Sequence, residues 1–461
     1  MVLGALAEIL QRIGRAGGRR GTAGIGMLCR GILCGMAILG VCGSAAAQQD
    51  KPAPPVRQPA AKDKVYSVSG NPAGTTVTAG TGQLGRAMGL KDEWGIVFGG
   101  VYLADTNIVA GGPKPGSWSN NSAAIASLSI DAQKLVDWRG ASFGFQFLQF
   151  NGSDTNADAG SVMGYNGIVG APPFNRTELL EAWYMQEMVP DVLKMRIGRS
   201  LPSFDFGNVV RPVEEDDESQ NIPMVTGLLY SPVFVNASML TAMYGYYNPA
   251  NGVTVNFTPN KSFYLNVGVY EGNRARGIQT GINPPMFNGY WFNIAEIGTN
   301  WLLGEERHPG QFGVGLWRQT GELSAAGVTQ DGTGGVYLWG SQRVAYRVNP
   351  GVPNSSVSIF YQFGVNQSAT LPMTQYYGAG ITGFGLIGER AQDSMGLGIA
   401  IAKLNPILFE RSHEVMIQAY YQVHLFAATY LQPTFTYIPV PGVPATAPGA
   451  FASTLRLTVL F

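Results

Sequence analysis

The chain ends in the stretch Thr454-Leu455-Arg456-Leu457-Thr458-Val459-Leu460-Phe461. Apolar and polar side chains alternate through most of this stretch. Successive side chains of an extended strand point to opposite sides, so one face is apolar and the other polar. The same two-residue rhythm runs from Val357 to Val365 and from Val415 to Leu425. The rhythm predicts strands that each separate two different environments.

Sixteen such segments can be traced from residue 93 to the C-terminus. They cover residues 93–107, 121–131, 141–151, 177–189, 192–200, 252–259, 262–270, 290–302, 310–319, 335–347, 356–365, 375–387, 393–404, 414–426, 429–438 and 450–461. An even number of strands, each long enough to cross a bilayer, is typical of bacterial outer-membrane barrels.

The predicted connections differ in length in a regular way. Those after even-numbered strands are mostly short, as at 190–191, 260–261 and 427–428. Those after odd-numbered strands are usually longer, as at 152–176, 201–251, 271–289 and 320–334. Transmembrane barrels have short periplasmic turns and long external loops. The sequence therefore predicts an all-β fold, a transmembrane antiparallel β-barrel of about 16 strands.

The composition agrees with a membrane location. Charged residues make up 13% of the chain, about half the ~25% typical of soluble domains. Basic and acidic residues balance at 30 each, which argues against a nucleic-acid partner. After residue 47 no apolar run reaches the ~18 residues that a membrane helix needs. Membrane crossing by strands is what remains.

The first 47 residues have the pattern of a signal peptide. Arginines precede the apolar segment 32–41, and Ala45-Ala46-Ala47 predicts cleavage before Gln48, with translation starting at Met1 or Met27. All three cysteines lie in this leader, so the mature chain is expected to have no thiolate chemistry and no metal or other cofactor. Residues 48–92 are predicted to form a periplasmic arm, and 93–461 the barrel domain.

A glycine motif occurs in the arm. Gly80-Thr81-Gly82-Gln83-Leu84-Gly85 matches the dinucleotide fingerprint GxGxxG, and overlapping matches begin at Gly378 and Gly383. With 62 glycines in 461 residues, about one such match is expected by chance, and no βαβ unit follows any of the three. All three are interpreted as glycine-rich strand or linker.

Three stretches resemble the carbohydrate-selective porins of the OprB family. They are 131–140, then 181–186 with 193–199, and 414–421 with 431–442. Thr434 and Val440 depart from the acidic residue and the asparagine that are usual in the family. The resemblance implies a sixteen-stranded channel in the bacterial outer membrane that passes sugars such as glucose down their gradient, as a monomer or a homotrimer. The terminal Phe461 is similar to the signal read by the barrel-assembly machinery.

Selection of a neutral sugar calls for hydrogen-bonding and aromatic side chains in a narrow lumen. On strand 192–200, Leu193, Met195 and Ile197 are expected to face lipid, which turns Lys194 and Arg196 inward. Arg196 is the first candidate for sugar contact. Further lumen candidates are Glu414, Gln418, Gln422 and Arg456, and, on strands that alternate poorly, Glu181, Trp183, Arg199, Gln342 and Arg343. The alternative for each is a polar wall without a binding role.

The acidic run 214–218 lies in the longest predicted connection, 201–251. We expect a solvated external loop, with cation or lipopolysaccharide bridging as the alternative. The same connection is long enough to fold into the barrel as its constriction.

Other functions stay open at this stage. The chain is not expected to be an enzyme such as a lipase or protease, because His308, His413 and His424 are the only histidines. Ser412 and His413 are neighbours in sequence, which is not evidence of catalytic geometry. A general or other-solute channel is the nearer alternative. A plugged barrel for hydrophobic cargo is disfavoured by polar Gln418, Gln422 and Arg456.

Overall fold

A computed structural model describes residues 80–461, apart from 169–173, 211–226, 244, 246, 279–282, 306–307 and 354. The predicted leader, most of the predicted arm and the acidic run 214–218 lie outside the described residues. No helix in the described part of the chain is long and apolar enough to cross a membrane.

Sixteen strands make up the described fold. They are β1 (Ile96–Gly111), β2 (Trp118–Asp131), β3 (Ala141–Asn151), β4 (Arg176–Val189), β5 (Leu193–Ser200), β6 (Ala250–Asn260), β7 (Phe263–Glu271), β8 (Trp291–Leu303), β9 (His308–Ala325), β10 (Val328–Tyr346), β11 (Ser356–Asn366), β12 (Met373–Phe384), β13 (Ser394–Leu404), β14 (His413–Phe426), β15 (Thr429–Val440) and β16 (Ala450–Leu460). Two short helices accompany them, α1 (Gln83–Ala87) and α2 (Ala132–Val136).

The strands close into one barrel. Each pairs antiparallel with its neighbours in sequence, and β1 closes the ring on β16 from Val101↔Leu460 to Gly111↔Phe451. Lipid offers no hydrogen-bond partner to an open sheet edge, and closure removes every edge. The predicted fold class and strand number are confirmed.

The two faces of the barrel wall differ sharply in exposure. On β16, Leu455 is 47% exposed and Arg456 1%. On β9, Leu316 is 48% exposed and Trp317 2%. Apolar side chains thus cover the outer face. The inner face is buried because connections between the strands fold against it.

One predicted connection is wrong. Residues 320–334 do not form a loop, since β9 and β10 continue as a long hairpin that pairs Ala325 with Val328. Ala326 and Gly327 both have positive φ, at 49° and 78°, as a two-residue hairpin turn requires. The connections 347–355 and 385–393 also exceed the short turns predicted after even-numbered strands.

The glycine motif at 80–85 was interpreted as strand or linker, and this is wrong in part. Gly82 has φ of 71° and caps the start of α1. Just before this helix, the Thr81 amide donates to the Phe461 carbonyl at 3.1 Å. The later match that begins at Gly378 lies in β12, and the one that begins at Gly383 runs from the end of β12 into the following connection.

Candidate functional site

The described residues of two connections fold into the lumen. The first inner loop is residues 152–175, between β3 and β4, and the second is residues 201–249, between β5 and β6. They bond to each other, since the Ser231 amide donates to the Gly164 carbonyl at 3.0 Å and the Gly167 amide to the Leu229 carbonyl at 2.8 Å. The connection 201–251, which is long enough to enter the barrel, does so over its described residues.

Glu414, on the inner face of β14, holds the first inner loop. Its carboxylate accepts from the Ser161 hydroxyl at 2.6 Å and from the Val162 amide at 2.7 Å. The Met163 amide lies 3.4 Å from both oxygens. Glu414 is fully buried. A charged acceptor that binds backbone N–H groups is a strong anchor, so its oxygens serve the loop.

Gln418 ties both loops to the wall. Its carbonyl oxygen accepts from the Leu229 amide at 2.5 Å, and its amide group donates to the Tyr165 carbonyl at 2.9 Å. Gln422 is linked to the second inner loop indirectly. It donates to Gln432 at 2.8 Å, and Gln432 donates to the Gly227 carbonyl of that loop at 2.8 Å. These glutamines are buried and fix the loops.

Arg456, also predicted to face the lumen, pairs with Asp105 across the β1–β16 seam. Nε donates to Oδ1 at 2.8 Å and Nη2 to Oδ2 at 2.7 Å. Asn166 of the first inner loop donates to Asp105 Oδ2 at 2.7 Å. Arg456 is therefore part of the loop attachment and is 1% exposed.

Glu296, which the sequence reasoning did not single out, holds the second inner loop. Its carboxylate accepts from the Gly207 amide at 2.6 Å, from the hydroxyls of Tyr264 and Tyr337 at 2.8 Å each, and from Trp339 Nε1 at 3.0 Å. The available signal was that Glu296 is the only charged residue of β8.

Each inner loop also buries a tyrosine hydroxyl. Burial raises the pKa of Tyr165, which bonds Thr155 at 2.7 Å, and burial likewise raises the pKa of Tyr230. Both phenols therefore stay neutral. The loops enter the lumen without adding phenolate charge to it.

On the side of the barrel formed by β4 and β5, a charged and an aromatic side chain remain partly exposed beside the second inner loop. Arg196 forms an ion pair with Asp205 of the second inner loop, and its guanidinium carbon lies 5.8 Å from the centre of the Trp183 ring. The Arg196 side chain is 14% exposed, and Trp183 is partly exposed. Lys194 lies 3.4 Å from Glu187 and is 40% exposed. We call Trp183, Lys194 and Arg196 the β4–β5 wall.

A β-bulge explains why β4 alternates poorly. The register shifts between Gln146↔Glu181 and Phe147↔Leu179, which leaves Leu180 as an extra residue. Glu178 and Glu181 are both buried although they are three residues apart. Glu181 accepts from the Leu201 amide at 3.2 Å and so fixes the start of the second inner loop.

Arg199, the second-last residue of β5, lies near two carboxylates. It is 6% exposed and interacts electrostatically with Glu178 and Glu271. Glu178 also pairs with Arg176 at 2.9 Å, and Arg176 donates to the Tyr247 carbonyl at 2.7 Å. This buried charge cluster braces the second inner loop.

Gln342 and Arg343 point in opposite directions. Arg343 is 3% exposed, on the same face as buried Ser341 and Trp339. Gln342 lies on the outer face and accepts from Trp301 Nε1 at 2.7 Å. The prediction that Gln342 faces the lumen is wrong, because its alternation with Ser341 and Arg343 sends it outward.

Ser412 and His413 are close enough to bond, at 2.9 Å between the hydroxyl and Nδ1, and both are exposed. Among the described residues no carboxylate bonds the other nitrogen of this ring. Nor does any group of three or more His, Cys, Asp or Glu residues there have the arrangement of a metal site.

Comparison with known proteins decides the family. A profile of the family described as "Carbohydrate-selective porin, OprB family" matches residues 123–461, which is most of the chain. The chain belongs to this family. As a member of the OprB family, it is a transmembrane β-barrel of the outer membrane. The family is one of carbohydrate transport.

Individual relatives agree with this assignment. Porin B of Pseudomonas aeruginosa is 22% identical over 384 residues, which cover 72% of this porin and 80% of that protein. The high-pH structure of Pseudomonas putida OprB has a TM-score of 0.70 at 17% identity, covering 83% of this chain and 99% of that one. Its low-pH structure has a TM-score of 0.52 at 14% identity, covering 85% and 99%. These structures support the fold.

Proposed function

We propose that this porin lets glucose-like monosaccharides cross the outer membrane by passive diffusion, and that it is a channel and not an enzyme. Family membership supports the sugar class. The observation that carries the mechanism is the β4–β5 wall, where Arg196 is held beside the Trp183 ring by an inner-loop carboxylate. Glu296, Glu414 and Gln418, also on the inner face, bind the inner loops instead.

The chemistry of this wall suits a neutral sugar. A guanidinium presents several N–H donors to hydroxyl oxygens, and an indole face packs against the apolar C–H face of a pyranose. Because Asp205 neutralises Arg196, the donors are presented with little net charge. Such a site favours sugars over ions of either sign, in a lumen that two inner loops make narrow.

Liposome swelling tests this function. Proteoliposomes would be placed in isotonic glucose, in a disaccharide and in a neutral amino acid of similar mass to glucose, without any energy source. The proposal requires fast swelling in glucose and slower swelling in the amino acid. Rates that follow solute size alone would make the protein a general porin. No swelling in any solute would contradict the channel itself.

Export completes the proposal. We propose that the leader is cleaved between Ala47 and Gln48 and that the terminal Phe461 is read by the barrel-assembly machinery. Phe461 accepts the Gly100 amide at 2.9 Å beside the β1–β16 seam, so it lies where the barrel closes. N-terminal sequencing of the protein from outer membranes tests the first point. A mature chain that begins elsewhere than Gln48 would contradict it.

A further inference from the structure

An arginine stands on the outer face of the barrel. Arg318 on β9 is exposed, whereas its neighbours Trp317 and Gln319 are 2% and 0% exposed on the inner face. On the outer face it continues the apolar column formed by Phe312, Val314 and Leu316. An arginine on a lipid-facing column is unfavourable at the bilayer centre and tolerated near the interfaces.

The position of Arg318 marks one boundary of the apolar band. The opposite boundary lies at Trp301, which donates to Gln342 on the outer face and pairs with Gly310. From Gly310 to Arg318 the strand rises about 27 Å along its axis, or about 20 Å across a membrane when tilted by ~40°. That height approaches the ~25 Å of an outer-membrane apolar band. Arg318 therefore lies at the long-loop end, where the outer leaflet has its headgroups.

Aromatic side chains surround this end of β8. Trp291 stacks on Phe287 with ring centres 5.2 Å apart. Arg276, which is exposed, lies 4.3 Å from the centre of the Tyr290 ring. Strand register places Arg318 opposite Asn293, two residues from Trp291. Tyr290 also reaches β9, since its hydroxyl donates to the Glu322 carbonyl at 3.1 Å. We call Arg276, Phe287, Tyr290, Trp291 and Arg318 the outer cationic patch.

No carboxylate in the described part of the chain neutralises the two arginines of this patch. Within the described ranges, neither Arg276 nor Arg318 forms an ion pair with a carboxylate. Glu322 and Asp331 pair with each other in register farther out along the β9–β10 hairpin. Two arginines at a headgroup boundary, set among amphipathic rings, are complementary to an anionic headgroup.

We propose that the outer cationic patch binds the phosphate of a phosphorylated glycolipid in the outer leaflet. The planar guanidinium of each arginine matches phosphate oxygens with two parallel N–H donors. Trp291 bonds Thr320, two residues beyond Arg318 toward the long loops, so Phe287 and Trp291 lie at the headgroup level beside the two arginines. This site is on the opposite face of the wall from the lumen and does not depend on sugar transport.

The test measures lipid binding by the purified barrel in neutral detergent. Diphosphorylated lipid A is titrated and bound lipid is counted by native mass spectrometry. Replacement of both arginines, Arg276→Gln with Arg318→Gln, is expected to weaken binding about tenfold or more, since each charge-assisted contact is worth about one such factor. Arg139→Gln removes the same charge from an exposed residue at the short-turn end and is expected to leave binding unchanged.

Dephosphorylated lipid A separates phosphate recognition from apolar adsorption. The proposal requires weaker binding of the dephosphorylated lipid to the native protein and little further loss in the double variant. Equal binding of the two lipids, or equal affinity of the double variant and Arg139→Gln for lipid A, would overturn it. Retention of the heat-sensitive shift of the folded barrel on electrophoresis shows that each variant is folded.

Discussion

Asp105 on the first strand and Arg456 on the last are paired in register, and their side chains form a bidentate ion pair across the seam that closes the barrel. Both are almost fully buried, at 2% and 1% exposure. The seam joins the two strands that are farthest apart in the barrel sequence. The same pair holds the first inner loop through Asn166.

Asp105→Asn is expected to destabilise the barrel by about 3–5 kcal/mol, because it leaves the Arg456 charge buried without its counterion. Urea unfolding in micelles, followed by tryptophan fluorescence, measures this change. Asp92→Asn is the control, since Asp92 forms an exposed ion pair with Arg86 at 3.6 Å, worth about 0–1 kcal/mol. Equal effects of the two variants would argue against a structural role for the seam pair.

Glu414→Gln is expected to loosen the first inner loop. A neutral amide cannot accept from Ser161 and Val162 with both oxygens, and loss of a charged hydrogen bond costs about 1.5–3 kcal/mol. We expect single-channel conductance to rise and to fluctuate more than in the native protein. Glu410→Gln, an exposed residue at the same end of the barrel, is the control. Unchanged conductance of Glu414→Gln would mean that this anchor does not limit the pore.

Stability should fall in acid partly through Asp393, in the connection before β13. Burial opposes ionisation of this carboxyl, yet hydrogen bonds from Arg390, Tyr421 and the His424 amide lower its pKa on balance. A carboxyl with a lowered folded pKa stabilises the protein above its ordinary pKa of 3.8, and this contribution is lost as pH falls through the folded value.

The unfolding free energy of Asp393→Asn should therefore lie below that of the native protein at neutral pH, and the difference should shrink as pH falls below about 4 toward the folded pKa. Urea titrations between pH 3 and pH 7 measure both curves. Glu389→Gln, an exposed neighbour, should run parallel to the native curve. A constant difference between Asp393→Asn and the native protein at every pH would refute the titration.

The strands could be predicted because the wall divides lipid from an interior, and that division imposes a two-residue rhythm on the sequence. Side-chain direction could be predicted where the rhythm is unbroken, as at Arg456. It failed where a polar residue served the membrane boundary, as Gln342 does with Trp301. On β4 the bulge at Leu180 interrupts the alternation of inward and outward side chains, and nothing in the neighbouring sequence indicates a bulge there.

The candidate site was harder to predict than the fold. A polar inner face has the same sequence pattern whether it contacts water or a loop that folds into the lumen. Glu414 meets Ser161 and Gln418 meets Tyr165 across 253 residues of sequence, and such pairings have no periodicity. For this reason, the sequence did not predict that Asp105 and Glu296 anchor the inner loops. The inward direction of Lys194 and Arg196, by contrast, could be predicted because they alternate with apolar residues.

Glucose block of single channels tests the central claim most directly. The refolded barrel would be placed in a planar bilayer, and ion conductance recorded while glucose is titrated into the bath. We expect open steps that glucose blocks in a saturable way. Arg196→Gln should weaken this block about tenfold, the equivalent of one charged hydrogen bond, while Arg139→Gln leaves it unchanged. Open steps that glucose does not affect, or a block that survives Arg196→Gln in full, would contradict sugar binding at the β4–β5 wall.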